Sequence, residues 1–188
     1  MSKLTILKDV FNPYENTYSA KIILNNLENL ESKTVLDIGC GSGILGIESI
    51  NKGAKRVTFV DKNEKCLINT YLNLKKMTNF KNYDLIKSNL LEDVTDKYDI
   101  ILANLPISSK YWNLDTFIIY EKFLKSLKKN IKKESSIYLT HSSFGNPKRL
   151  KKMINNESFL IKKEITETMF DIDWKLYIFS YKEQMSRY

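Results

Sequence analysis

Two clusters in this chain have residue types at spacings that chemistry uses. The first is Val35-Leu-Asp-Ile-Gly-Cys-Gly-Ser-Gly-Ile-Leu-Gly46, which holds four of the chain's six glycines within eight residues. Gly39, Gly41 and Gly43 allow positive φ and close approach of a ligand to the backbone, and Gly46 lets the following helix pack tightly on a sheet. Asp37 stands just before this turn, and Asp61 closes the next β-prone run, where a carboxylate accepts the protons of two ribose hydroxyls. The second cluster is Tyr98-Asp-Ile-Ile-Leu-Ala-Asn104-Leu105-Pro106-Ile107. Here an apolar run ends on an amide and on a proline that cannot continue a β-ladder, at the kind of strand end where open α/β sheets bind ligands.

Gly41-x-Gly43-x-x-Gly46 followed by Asp61 satisfies the dinucleotide fingerprint, so a nicotinamide-dependent oxidoreductase is admissible. Asp37 weighs against it, because a diphosphate in the turn would meet a carboxylate whereas a cationic amino-acid cofactor would be attracted. The elements that position both clusters alternate along the chain. Apolar periodicity predicts a helix over 17–30 capped by Thr17, a strand over 34–36, a helix over 44–51, a strand over 56–60, a helix over 63–77 and a strand over 83–87. A strand over 98–103, a helix over 115–130, a strand over 136–140, a short helix over 147–155 and strands over 159–168 and 174–181 complete the pattern. The expected fold is α/β, a Rossmann-like three-layer sandwich with a seven-stranded, mostly parallel sheet. The last two strands lack an intervening helix and should form a hairpin that puts one antiparallel strand near the C-terminus.

The 188 residues, 43% hydrophobic, suit one domain spanning 1–188. No window approaches the roughly 18 apolar residues of a membrane span. Cys40 and Cys66 fit no metal-ligand pattern, His141 is the one histidine, and no metal is expected. A reduced, cytoplasmic setting follows as the expectation. The net charge of +8 is uneven: residues 1–100 carry 14 Lys+Arg against 13 Asp+Glu, residues 101–188 carry 16 against 9. That gradient suits a polyanionic partner approached from the C-terminal side, or a set of solvated lysine-rich helix faces.

Leu36-Asp37-Ile-Gly-Cys-Gly-Ser-Gly43 resembles the first motif of class I S-adenosylmethionine (SAM)-dependent methyltransferases, and Phe59-Val-Asp61-Lys-Asn63 resembles their second. The resemblance spans about residues 15–181 and implies a cofactor site made of Thr17, Asp37, Gly39, Cys40, Gly41, Gly43, Asp61, Lys62, Asn63, Asn89 and Asn104. In it Asp37 and the turn surround the methionine moiety, Asp61 binds the ribose, and Asn89 meets the adenine. Asn104-Leu105-Pro106-Ile107 is similar to the Asn-Pro-Pro-Tyr motif of methyltransferases acting on planar nitrogens, and closer to the Asn-Leu-Pro-Tyr form of the ribosomal-RNA adenine dimethyltransferases. By that likeness the Asn104 side-chain and Leu105 backbone carbonyls accept the two hydrogens of an NH2 group, and Pro106 stiffens the grip. Ile107 departs from the family's aromatic, with Tyr111 or Trp112 the candidates to supply a stacking face instead.

Val10-Phe11-Asn-Pro13-Tyr14-Glu15-Asn16-Thr17 is similar to the segment before the first helix in protein-glutamine and small-domain ribosomal-RNA methyltransferases. In those families it closes over the cofactor, which gives residues 1–16 that role here and puts Glu15 or Thr17 near methionine or substrate. His141 and Phe144 are further candidates for the pocket border. The implied reaction is N-methylation of a planar NH2 group, with a nucleic-acid base such as adenine in RNA as the leading acceptor. A glutamine amide of a ribosomal protein or release factor is the alternative. A small-molecule amine, a non-catalytic RNA-binding protein and the oxidoreductase are carried behind these.

Overall fold

A computed structural model describes residues 4–15, 17–107 and 114–182. The elements run α1 (Ser19–Asn26), β1 (Thr34–Ile38), α2 (Ile44–Asn51), β2 (Arg56–Asp61), α3 (Glu64–Met77), β3 (Tyr83–Lys87), β4 (Tyr98–Ala103), α4 (Leu114–Ser126), β5 (Ile131–Ser142), α5 (Pro147–Asn156), β6 (Phe159–Met169) and β7 (Ile172–Tyr181). The seven strands form one sheet in the order β3-β2-β1-β4-β5-β7-β6. β1 to β5 pair in parallel, and β7 runs antiparallel to both β5 and β6. The expected three-layer sandwich with a single reversed strand is therefore the fold observed.

Strand alternation sets the layers. Val35, Ile100 and Leu102 face a core shared with Ile22 and Ile23 of α1, Ile47 of α2 and Leu67 and Leu74 of α3. Leu36, Ile101 and Ala103 face the opposite core, with Tyr120, Phe123 and Leu124 of α4 and Leu150 and Ile154 of α5. Period-2 alternation puts Asp37 on the α2 side of β1, between Leu36 and Ile38, which face the other way. Among the described residues no helix is long and apolar enough to cross a membrane.

The structure corrects several boundaries. α1 covers Ser19–Asn26 rather than 17–30, because Asn26 Nδ2 bonds back to the Ile22 carbonyl (2.9 Å) and the chain then turns extended. Leu30 N–H donates instead to the Lys52 carbonyl (2.9 Å), which leaves Leu27 and Leu30 buried outside any helix. Thr17 is not the N-cap. Tyr18 holds that position without a side-chain cap bond, and Thr17 Oγ1 accepts the Ser19 N–H at 3.3 Å. α4 ends at Ser126 and its last turn tightens into a 3₁₀ segment, Leu127–Lys129. β5 begins five residues before the expected 136, with an irregularity opposite Tyr98 and Ile100 stabilised by Ser135 Oγ donating to the Tyr98 carbonyl (2.6 Å). The β6–β7 hairpin turns through Phe170 and Asp171, both at φ +57, the geometry of a two-residue type I′ loop.

Candidate active site

The C-terminal ends of β1 to β4 open onto one cavity of ≈ 480 Å³, within the roughly 300–1,000 Å³ range of small-molecule sites. It lies where the strand order reverses about β1, the switch point at which such sheets bind ligands. The glycine turn forms one wall. Gly39 and Cys40 N–H both donate to the Val60 carbonyl (2.8 and 3.0 Å), tying the turn to the end of β2. Gly43 is the N-cap of α2 at φ +80, and a Cβ there would stand 2.8 Å from Thr70 Cγ2, so both conformation and space require glycine.

Asp37 is 1% exposed and accepts the Gly46 N–H at 2.9 Å, pinning the first turn of α2 onto β1. Burial pushes its pKa up to about 7; the Gly46 bond opposes the rise and the Asp61 charge adds to it. Asp61 accepts from Gly41 N–H (3.1 Å) through Oδ2 and from Asn63 N–H (2.9 Å) through Oδ1, so two backbone bonds aim its carboxylate into the cavity. Its remaining lone pairs suit a diol. Asn89 donates from Nδ2 to Glu92 (2.8 Å), which turns its Oδ1 into the acceptor an exocyclic amine needs. Burial raises the Cys40 and Cys66 thiol pKa values, Cys66 to about 11, so neither lining thiol is a nucleophile near neutrality.

Across the cavity, Asn104, Leu105, Pro106 and Ile107 leave the end of β4. Asn104 Oδ1 accepts the hydroxyl proton of Thr140 at 2.8 Å. Thr140 is fully buried on β5, and the parallel register that pairs Ala103 with Leu139 brings these two residues side by side. The bond uses one of the two lone pairs on the amide oxygen and fixes the plane of the other.

Thr17, Asp37, Gly39, Cys40, Gly41, Asp61, Lys62, Asn63, Asn89, Asn104, Leu105, Pro106 and Ile107 line this one cavity. Gly43 backs onto Thr70 rather than the cavity, and Glu15 is exposed, accepting from Asn12 Nδ2 (3.2 Å) outside the lining. Tyr111 and Trp112 lie outside the described residues. Phe144 packs edge-on against Trp174, which lines the cavity, and His141 is buried beside the Tyr120 hydroxyl (3.3 Å). Neither is itself in the lining.

Sequence reasoning missed the polar inner face of α3. Asn69 and Asn73 are buried and bond the N-terminal segment: Thr5 N–H donates to Asn73 Oδ1 (2.8 Å), Leu7 N–H to Asn69 Oδ1 (2.6 Å), and both Nδ2 groups donate to the Thr5 carbonyl (2.9 Å). Asn73 Nδ2 also reaches the Ser42 carbonyl (2.9 Å), and Thr70 the Gly41 carbonyl (3.2 Å), so the same helix face holds the glycine turn. The segment continues past Asp9, Phe11 and Pro13 along the cavity wall. Asparagines four apart at core positions of an amphipathic helix were the available signal.

This sheet order, with a glycine turn after β1, a carboxylate closing β2 and amides after β3 and β4, defines a class I SAM-dependent methyltransferase. Residues 2–166 match the family "Methyltransferase small domain", and the chain belongs to it. A Methanocaldococcus jannaschii protein described as a "putative protein N5-glutamine methyltransferase" is 30% identical over 160 residues, covering 78% of this chain and 79% of that one. A ribosomal protein L11 methyltransferase of Lactobacillus johnsonii is 28% identical over 134 residues, 71% of this chain but 39% of the longer relative. In fold, the ribosomal protein L11 methylase of Lactobacillus delbrueckii subsp. bulgaricus superposes with a TM-score of 0.75 at 22% identity, covering 93% of this chain and 82% of that one. The protein is an enzyme, and SAM is its methyl donor. The chemistry of the lining is compatible with that group: Asp61 and Asn89 offer oxygen acceptors of the kinds a diol and an exocyclic amine need, and Asp37 is a carboxyl group beside the turn.

Proposed function

We propose that the enzyme methylates the side-chain amide nitrogen of a glutamine in a protein of the translation machinery. The observation that carries this reading is the Asn104-Leu105-Pro106 turn, set in the cofactor cavity with its amide oxygen anchored by Thr140. A primary amide donates two hydrogens, and the Asn104 side-chain and Leu105 backbone carbonyls are two acceptors. Holding both hydrogens turns the delocalised lone pair toward the methyl group and excludes unproductive poses. SAM supplies an activated methyl on a sulfonium, so transfer forms the N–C bond as the S–C bond breaks, and the methylated nitrogen then sheds one proton to solvent.

Ile107 favours a glutamine over a nucleobase. The position beside the grip has an aliphatic side chain, which packs against a methylene stem but offers no ring face to a base. The relative described as a glutamine methyltransferase, matched over most of both chains, supports the same acceptor. Labelled methyl transfer to separated ribosomal proteins, release factors and ribosomal RNA tests it, with the modified residue identified by mass spectrometry. Label in N5-methylglutamine is expected, and label confined to RNA nucleotides would overturn the reading. Asn104→Ala should retain SAM affinity and lose roughly 100-fold in transfer, the scale of a positioned active-site hydrogen bond.

A further inference from the structure

A second and more open groove, ≈ 780 Å³, is lined by residues of α4, α5, β6, β7 and the loop before α5, and shares no lining residue with the cavity. We propose that it docks the backbone of a single-stranded RNA segment beside the methyl-transfer site. The proposal stands on the groove alone and does not depend on which NH2 group is methylated.

Charge is the first argument. Lys148, Arg149, Lys151 and Lys175 line the groove against one carboxylate, Glu164, a net of three positive charges. Glu164 is engaged by Lys151 (2.8 Å) and Lys175 (3.8 Å). Lys148 and Arg149 have no ion pair among the described residues and project from the first turn of α5, which holds no acidic residue. Asn146 Oδ1 caps the turn by accepting the Arg149 N–H (3.0 Å) and the Glu121 charge reaches Arg149, but two cations at the positive end of a helix dipole still favour an added anion.

Ring chemistry distinguishes RNA from an acidic peptide. The Arg149 guanidinium lies over the Phe117 ring at 4.1 Å from its centroid, and the Arg149 side chain is exposed. Half-buried Phe144 lines the same groove. Flat cations and aromatic rings beside phosphate-seeking lysines suit unpaired bases on a polyanionic strand, whereas a run of carboxylates would use the lysines alone. Continuity supplies the third argument: Phe117 adjoins Ile118 on α4, and Phe144 meets Trp174, both of them lining the cofactor cavity. A strand in the groove therefore runs beside the methyl-transfer site.

The test is fluorescence anisotropy with a fluorescein-labelled twelve-nucleotide oligouridylate and the full chain. With three phosphates neutralised, affinity should fall roughly 20-fold between about 50 and 200 mM salt. Lys148→Glu with Arg149→Glu should weaken binding at least tenfold while SAM affinity and melting temperature stay as in the wild type. Lys33→Glu with Lys55→Glu makes the same charge change at the opposite, N-terminal ends of β1 and β2 and should cost less than threefold. The proposal fails if the groove variant binds like wild type, if the control loses as much, or if poly-L-glutamate displaces the RNA as well as unlabelled oligouridylate does.

Discussion

Asp37 and His141 carry opposite pH dependences that should nearly conceal each other. Burial raises the Asp37 pKa from 3.8 to about 7, so the folded protein holds this proton after the unfolded chain has released it. Its stabilising contribution is fully present below about pH 4 and is lost as pH rises to about 7. At about 1.4 kcal/mol per unit the loss is about 4 kcal/mol. Burial, helped by the Lys175 charge, depresses the His141 pKa from 6.5 to about 4. The unfolded chain then binds the extra proton, and stability present above pH 6.5 is lost as pH falls to about 4, by about 3 kcal/mol. Between about pH 4.5 and 6.5 the two slopes oppose and the wild type should be almost flat. Asp37→Asn keeps an oxygen for the Gly46 N–H and removes one titration, so on acidification across that interval the variant should lose about 2–3 kcal/mol relative to wild type. Urea unfolding followed by circular dichroism at four pH values and constant ionic strength measures this. A difference between variant and wild type that does not change with pH would refute the assignment. In the wild type, SAM affinity should also climb with pH up to about 7, by at most tenfold per unit, because the cationic cofactor binds the ionised form, and Asp37→Asn should abolish that climb.

Gly46→Ala would place a Cβ 2.1 Å from Phe59 Cε1 in a fully buried contact. It should cost about 1–3 kcal/mol or more, a melting-temperature drop of at least about 2 °C in calorimetry, partly recovered by Phe59→Leu. Thr140→Val removes the bond that orients Asn104 and should lower kcat at least tenfold with SAM affinity unchanged, whereas Thr140→Ser should restore most of it. Asn73→Ala frees the Thr5 N–H and weakens the hold on Ser42, so limited proteolysis should cut within residues 4–15 faster while the sheet remains folded.

The elements legible in the sequence were those governed by local periodicity. β4 reads as an apolar run from Ile100 to Ala103 because helices cover both faces of the parallel sheet, and α2 is bracketed by glycines that mark its ends. The errors came where tertiary bonds overrule local pattern. Leu27 and Leu30 keep helical spacing but are buried by a loop that bonds to Lys52, so their periodicity reports burial and not conformation. β5 starts early because Ser135 stitches an irregular stretch to β4, a pairing with no local signature. Thr17 has the residue type of a helix cap, but its hydroxyl serves Ser19 while Tyr18 takes the N-cap position.

The candidate site divides along the same line. Backbone-shaped parts were readable, since glycine at φ +80 and a carboxylate at a strand end each leave a compositional mark. The parts that aim side chains were not, because each depends on a neighbour distant in sequence: Thr140 lies 36 residues from Asn104, and Asn73 lies 31 from Ser42. These distant contacts have one source. The parallel sheet sets strand ends side by side, so the residue just past one strand is oriented by the strand beside it, as β5 orients Asn104. α3, packed over β2 and β3, does the same for the turn after β1. Chemistry at this edge therefore rests on register: a one-residue slip of β5 against β4 would turn Thr140 to the other face and leave the Asn104 amide free to rotate.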